Sequence, residues 1–129
     1  MTEPLSHEVT LSPSERRDVI FMPCGKHVSA FWLETLGPCD GLLLTSIEID
    51  REEQLAVDHA PAAMLETLEA IDHIVLPSVT PHSRVVVRFV NHADVPAHFR
   101  IWFGSQAQLR LKWAEALEKR YATPEGDHS

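Results

Sequence analysis

The sequence predicts a mainly β protein: an antiparallel β-sandwich of jelly-roll type, with a short crossover helix and a C-terminal helix. Three observations carry this. Residues 84–90 and 97–103 each place apolar side chains at every second position, which gives one continuous apolar face at the two-residue period of a strand. Residues 42–49 form an apolar run ended by Asp50 and bounded by turn residues. Three- and four-residue spacing, the mark of a helix, is confined to 61–71 and to 106–121. At 129 residues the chain is long enough for one hydrophobic core and short for two.

The elements follow in order. Residues 1–15 read as a flexible N-terminal arm, because the first dozen are polar and include Pro4. They lack a basic region followed by an apolar run, so a cytoplasmic site of synthesis without export is expected. Residues 17–22 (RDVIFM) are a short strand stopped by Pro23, and 28–36 a second strand ended by Gly37–Pro38. A hairpin-like relation between the two is the simplest reading. Residues 42–49 (LLLTSIEI) begin as a buried strand and finish alternating, with Ile47 and Ile49 on one face and Ser46 and Glu48 on the other.

From 61 to 71 the period changes. Pro61, Met64, Leu65, Leu68 and Ile71 share a stripe, which predicts a short helix, with an irregular crossover as the alternative. Residues 72–76 read as a brief strand before the turn formed by Pro77, Ser78, Pro81, His82 and Ser83. In the next strand Val85, Val87 and Phe89 face one way and Val86, Arg88 and Val90 the other. In the one after, Ala97, Phe99, Ile101 and Phe103 oppose His98, Arg100 and Trp102. The hexapeptide 91–96 between them is too long for a two-residue turn, so it makes either a broad hairpin or a crossing between sheets. Ser105 and Gln108 match a capping box, and Leu109, Trp113, Leu117 and Tyr121 form a stripe behind it. The domain plan is therefore an arm (1–15), a sandwich (16–104), a helix (105–121) and a flexible tail (122–129).

Composition narrows the function classes. A net charge of −8 disfavours nucleic acid as the main partner, since phosphate binding needs clustered Lys and Arg. No stretch approaches the ~18 apolar residues of a membrane helix, so no membrane partner is expected. The charge is lopsided: residues 1–83 carry 4 basic and 14 acidic side chains, residues 84–120 carry 7 and 3. Either the halves neutralise each other within one fold, or neighbouring subunits attract through opposite surfaces.

Candidate sites are few. His82, His92 and His98 lie around one loop region and are weak metal candidates, although their spacing matches no standard ligand pattern. Cys24, His27 and Cys39 supply three potential ligands where a structural zinc takes four; without an export signal, reduced thiols are the expected state of both cysteines. No nucleophile elbow, phosphate loop, dinucleotide-binding glycine pattern or metalloprotease helix motif occurs, so no enzyme activity and no cofactor are expected. Arg84, Arg88, Arg100 and Arg110 suit one row on the sheet, facing an acidic partner or pairing internally with Glu48 and Asp50. Arg88, Arg100, Trp102 and Trp113 are the candidate interface, because Trp and Arg are enriched where proteins meet.

Two resemblances attach to these residues. The stretch VVVRFVNHADVPAHFRIWFG (85–104) resembles cupredoxin-like copper proteins, where a histidine near such a proline ligates the metal; His98 is the matching position. No later cysteine, histidine or methionine completes a copper centre before the tail. The wider layout, residues 18–104, resembles small β-sandwich structural proteins of virus particles in its LLLTSIEI run, proline-bearing crossover and late V-x-V-x-F-x-N strand. That resemblance implies a structural or assembly protein of a virion, such as a capsid or decoration component, that is homo-oligomeric or docked on other structural proteins. A metal- or small-molecule-binding β-barrel using the histidines, and a regulatory protein-binding module, are the alternatives.

Overall fold

The structure, a computed structural model, describes residues 4–23, 28–53, 60–73, 76, 80 and 82–127. Its strands are β1 (Leu5–Leu11), β2 (Arg16–Phe21), β3 (Ala30–Thr35), β4 (Leu42–Ile49), β5 (Glu52–Glu53), β6 (Ala60–Pro61), β7 (Val85–Asn91) and β8 (Ala97–Gly104). Helices α1 (Ala62–Leu65) and α2 (Leu68–His73) lie between β6 and β7, and α3 (Gln106–Asp127) follows β8. One antiparallel sheet runs β1-β8-β3; the other runs β2-β7-β4-β5, with β6 also on β4.

The pairing is that of one long hairpin rolled into two layers: β1 with β8, β2 with β7 and β4 with β5 are nested pairs. This is the jelly roll predicted from sequence. A fourth nested pair would join β3 to a strand ahead of β7. Among the described residues that stretch is helical instead, and α1 and α2 pack beside β3.

The inner faces form one core. Val85, Val87 and Phe89 meet Ala97, Phe99, Ile101 and Phe103 across it, as the alternation predicted. Strand β4 contributes Leu42 and Leu44, then Ile47 and Ile49, a change of parity that a regular strand cannot bury. An irregularity at Thr45 resolves it by inserting one residue against β7. A second cluster lies on the outer face of the β1-β8-β3 sheet, where Ala30 and Trp32 pack against Ile71 of α2 and Leu109 of α3. Its origin is local: Ser105 and Gln108 make the reciprocal capping box that starts α3, at 3.0 and 3.2 Å. Helix α3 thus covers its own sandwich.

Several expectations are corrected. Residues 5–11 of the expected arm are β1, because Val9 and Leu11 are buried against β8. Strands β2 and β3 are not a hairpin; they belong to opposite sheets. The single helix over 61–71 is two, since the Thr67 hydroxyl accepts the Ala70 N–H and caps a fresh start. Asp72 lies in the last turn of α2 rather than opening a strand, residues 74 and 75 of the expected strand lie outside the described residues, and Leu76 N–H donates to Ser29 O at 2.7 Å. Helix α3 runs on to Asp127, through the start of the expected tail. Leu109 and Trp113 of its stripe face the sandwich, while the Tyr121 side chain lies outside the described part.

One end of the sandwich is tied by Asn91, which is fully buried. Its side-chain N–H groups donate to Leu11 O, Ser12 O and Val95 O, and its carbonyl accepts from Ala93 N–H. The β1–β2 and β7–β8 crossovers therefore meet at one residue. The third crossover joins them through His92 N–H to Gly41 O at 2.8 Å. A side chain at Gly41 has no room, because its Cβ would fall 2.3 Å from Ala93 N.

Candidate functional surface

Alternation sends every second side chain of β7 and β8 outward, but onto opposite faces of the sandwich, so the expected arginine row does not exist. Arg88 points out from the β2-β7-β4 sheet, beside Asp18 at 3.3 Å, and bonds Glu48. The Glu48 hydrogen bond, helped by Asp18, drives its guanidinium still higher in pKa. Arg100 points out from the other sheet, to Glu8 at 2.9 Å. Arg110 on α3 pairs with Asp72. Arg84 precedes β7, and its backbone N–H donates to Asp50. The ion pairs of Arg88, Arg100 and Arg110 each join the basic half of the chain to the acidic half, so part of the lopsided charge is paired within the fold. At partly exposed positions such pairs contribute about 0–1 kcal/mol each.

The expected interface residues divide likewise. Arg88 and Arg100 cannot share a contact surface. Trp102 is not the exposed aromatic that was expected: its indole N–H donates to Glu34 at 2.9 Å, with Arg100 5.6 Å and Lys112 5.2 Å from the ring centre. Both cations stack on the ring that a partner would use. Trp113 is half-buried between α3 and β3.

The histidines are dispersed. His82 precedes β7 and His92 follows it, so a strand of seven residues separates them, about 20 Å of extended chain. His98, the cupredoxin-matching position, bonds Glu8 at 2.7 Å on the outer face of the sheet. Among the described residues no three His, Cys, Asp or Glu side chains converge as a metal would need. Cys24 and His27 lie outside the described residues. Cys39 carries a free thiol that donates to His98 O at 3.3 Å. Burial pushes its pKa up, which favours the thiol over the nucleophilic thiolate. It lines a cleft of about 270 Å³ with Thr35, Asp40 and Glu66. The Glu66 carboxylate there is engaged by the Thr35 N–H, at 3.0 Å, and by the Thr35 hydroxyl.

That bond belongs to a wider pattern at the lateral edges. Thr35 N–H points away from β8, so Glu66 blunts the free edge of β3. The outer edge of β4 is paired by β5 and β6. On the opposite side the sandwich ends in β1 and β2, and no described residue pairs with their outer edges. Beside that open edge Ile20 and Met22 are 47% and 57% exposed. Neither was a sequence candidate, yet a signal was present: Val19, Ile20, Phe21 and Met22 make both faces of this strand apolar.

Two carboxylates on this side carry a pH signature. Hydrogen bonds from His98, then Arg100, hold Glu8 below the ordinary carboxylate range. The Ser12 N–H, then Arg17, do the same for Glu15. A depressed carboxylate contributes stability above its unfolded pKa and loses it as pH falls through the lowered value. The Glu8→Gln, Glu15→Gln double variant should therefore melt lower than the parent at neutral pH and converge with it in acid. Thermal unfolding midpoints across pH check this; a gap that stays constant into acid refutes it.

Set beside family models, curated proteins and solved structures, the chain matches none.

Proposed function

We propose that the chain is a structural or assembly protein, which self-associates or docks on a larger particle, as a capsid or decoration component does, through the open side of its sandwich. The observation carrying this is the asymmetry of the lateral edges. One side is closed by β5, β6 and the Glu66 carboxylate, whereas the other presents two neighbouring strand edges and the exposed Ile20 and Met22. Uncovered edges are templates for strand pairing, and exposed apolar side chains beside them favour a partner. The jelly roll is a fold that virus capsid domains use, which supports the reading by analogy; lectins and cupins use it too.

Light scattering or sedimentation over a range of protein concentrations, at low and high salt, tests the proposal. A mass above the 14.5 kDa of one chain is expected. Because the ion pairs are internal, the assembly should persist in high salt. A single-chain mass under every condition overturns self-association.

A further inference from the structure

We infer that the occupant of the open side is a second copy of this chain, paired antiparallel through β2 about a two-fold axis at Ile20. The inference rests on the assembly reading above and names the partner.

The four lateral edges are not equally available. Strand β3 is blunted by Glu66, and β4 is paired by β5 and β6. Strand β1 carries a polar His7 on the face of the apolar Leu5, Val9 and Leu11, exposed at the open side, where its ring meets Phe21 and Phe103 edge-on. A polar, ionisable residue interrupting the apolar face of an edge strand guards it against pairing. The second half of β2 has none of these devices: Val19, Ile20 and Phe21 are apolar in succession, and the charges sit at the strand's start in Arg16, Arg17 and Asp18.

The register follows from that distribution. Opposite residues of an antiparallel pair share a face, so a two-fold axis perpendicular to the sheet passes through one residue. An axis at Arg17 sets Arg17 against itself, and one at Asp18 sets Asp18 against itself. An axis at Ile20 sets Ile20 on Ile20, places Val19 opposite Phe21 on the inner face, and leaves Met22 opposite Asp18. It also drives the arginines of the two copies to opposite ends of the contact. Asp18 is already satisfied by Arg88 at 3.3 Å, so it approaches the partner neutralised. Pro23, which lacks an N–H, ends the new ladder. The product is one continuous sheet, β5-β4-β7-β2 followed by its symmetry mate.

Cysteine cross-linking tests this in the full chain, with Cys24→Ser and Cys39→Ser to remove the native thiols. Opposite Cα atoms of an antiparallel pair lie about 4.5–5.5 Å apart, within disulfide range. Ile20→Cys should therefore form a reducible covalent dimer under mild oxidation. Arg16→Cys should not, because that register separates the two copies of residue 16 by eight positions, about 27 Å. Ile20→Lys should reduce the solution mass to one chain while leaving the melting midpoint of the fold in place, since Ile20 is half-exposed. An assembly in solution that fails to cross-link at Ile20, cross-links equally at Arg16, or survives Ile20→Lys overturns the inference and leaves assembly through another surface standing. A single-chain mass for the parent overturns the inference and self-association together.

Discussion

Replacing Asn91 with alanine is expected to remove about 2–3 kcal/mol of unfolding free energy, a large loss for a single polar substitution. The side chain makes four hydrogen bonds from a site with no exposed surface. Alanine leaves the Leu11 carbonyl without that partner in the interior, where a stranded buried group costs about 1–3 kcal/mol, while the Ser12 and Val95 carbonyls and the Ala93 N–H sit at part-buried bonds that water can reach. Against the ~5–15 kcal/mol that holds a typical domain together, this is a large share. Asn91→Asp should do no better, since a carboxylate keeps the acceptor for Ala93 but offers the three carbonyls no donor. Urea unfolding of both variants measures the loss; less than about 1 kcal/mol for alanine would show that water replaces the side chain at the corner. The location matters as much as the size. Asn91 joins two crossovers between the sheets, so its loss should lower the cooperativity of the transition, not only its midpoint.

Asn91 also marks the boundary of what local sequence can reveal. Its place at the end of a V-x-V-x-F-x-N strand was legible, and so were the inward faces of β7, β8 and β4, because alternation is a property of neighbouring residues. The sheet that each strand joins is not. Pairing of Leu5 with Phe103 spans nearly the whole chain, and nothing in residues 5–11 announces it. The exposed His7 breaks the apolar alternation of Leu5, Val9 and Leu11, which is why that strand reads as an arm. The parity change in β4 was visible as an apolar run, while the bulge that reconciles it is set by its pairing with β7.

The same limit governs the surface. Outward positions of Arg88, Arg100 and Trp102 were correctly phased, yet phase alone does not say that the two arginines leave from opposite layers. Nor does it say that α3 returns with Lys112 to cover Trp102. The acidic partners were in the sequence throughout, in the half of the chain whose excess negative charge suggested a partner protein. Ile20 and Met22 become conspicuous only once the edges of the sheets are assigned, because an apolar outer face on a central strand signals burial, and on an edge strand it signals a neighbour.

Trp32→Ala should be the most damaging substitution outside the main core, with a loss of about 3–5 kcal/mol. The side chain is 2% exposed on the outer face of β3, where it anchors Ile71 and Leu109. Its indole N–H donates to Glu66 O at 2.8 Å, so alanine both opens a cavity and strands a carbonyl at the end of α1. Glu66 is also the residue whose carboxylate accepts the outward N–H of Thr35. Loosening Trp32 therefore does more than destabilise: it uncovers the edge of β3 on the side of the sandwich that is otherwise closed. Phe99→Ala provides the control, since Phe99 is fully buried in the main core, on the central strand β8, and its side chain takes no part in the Glu66 bonds to Thr35 and Trp32. At denaturant concentrations giving equal unfolded fractions, Trp32→Ala should aggregate faster than Phe99→Ala, read by light scattering. Equal rates would mean that the helices on this face supply stability alone, and that the guard at Glu66 has no part in deciding which side of the sandwich stays free of partners.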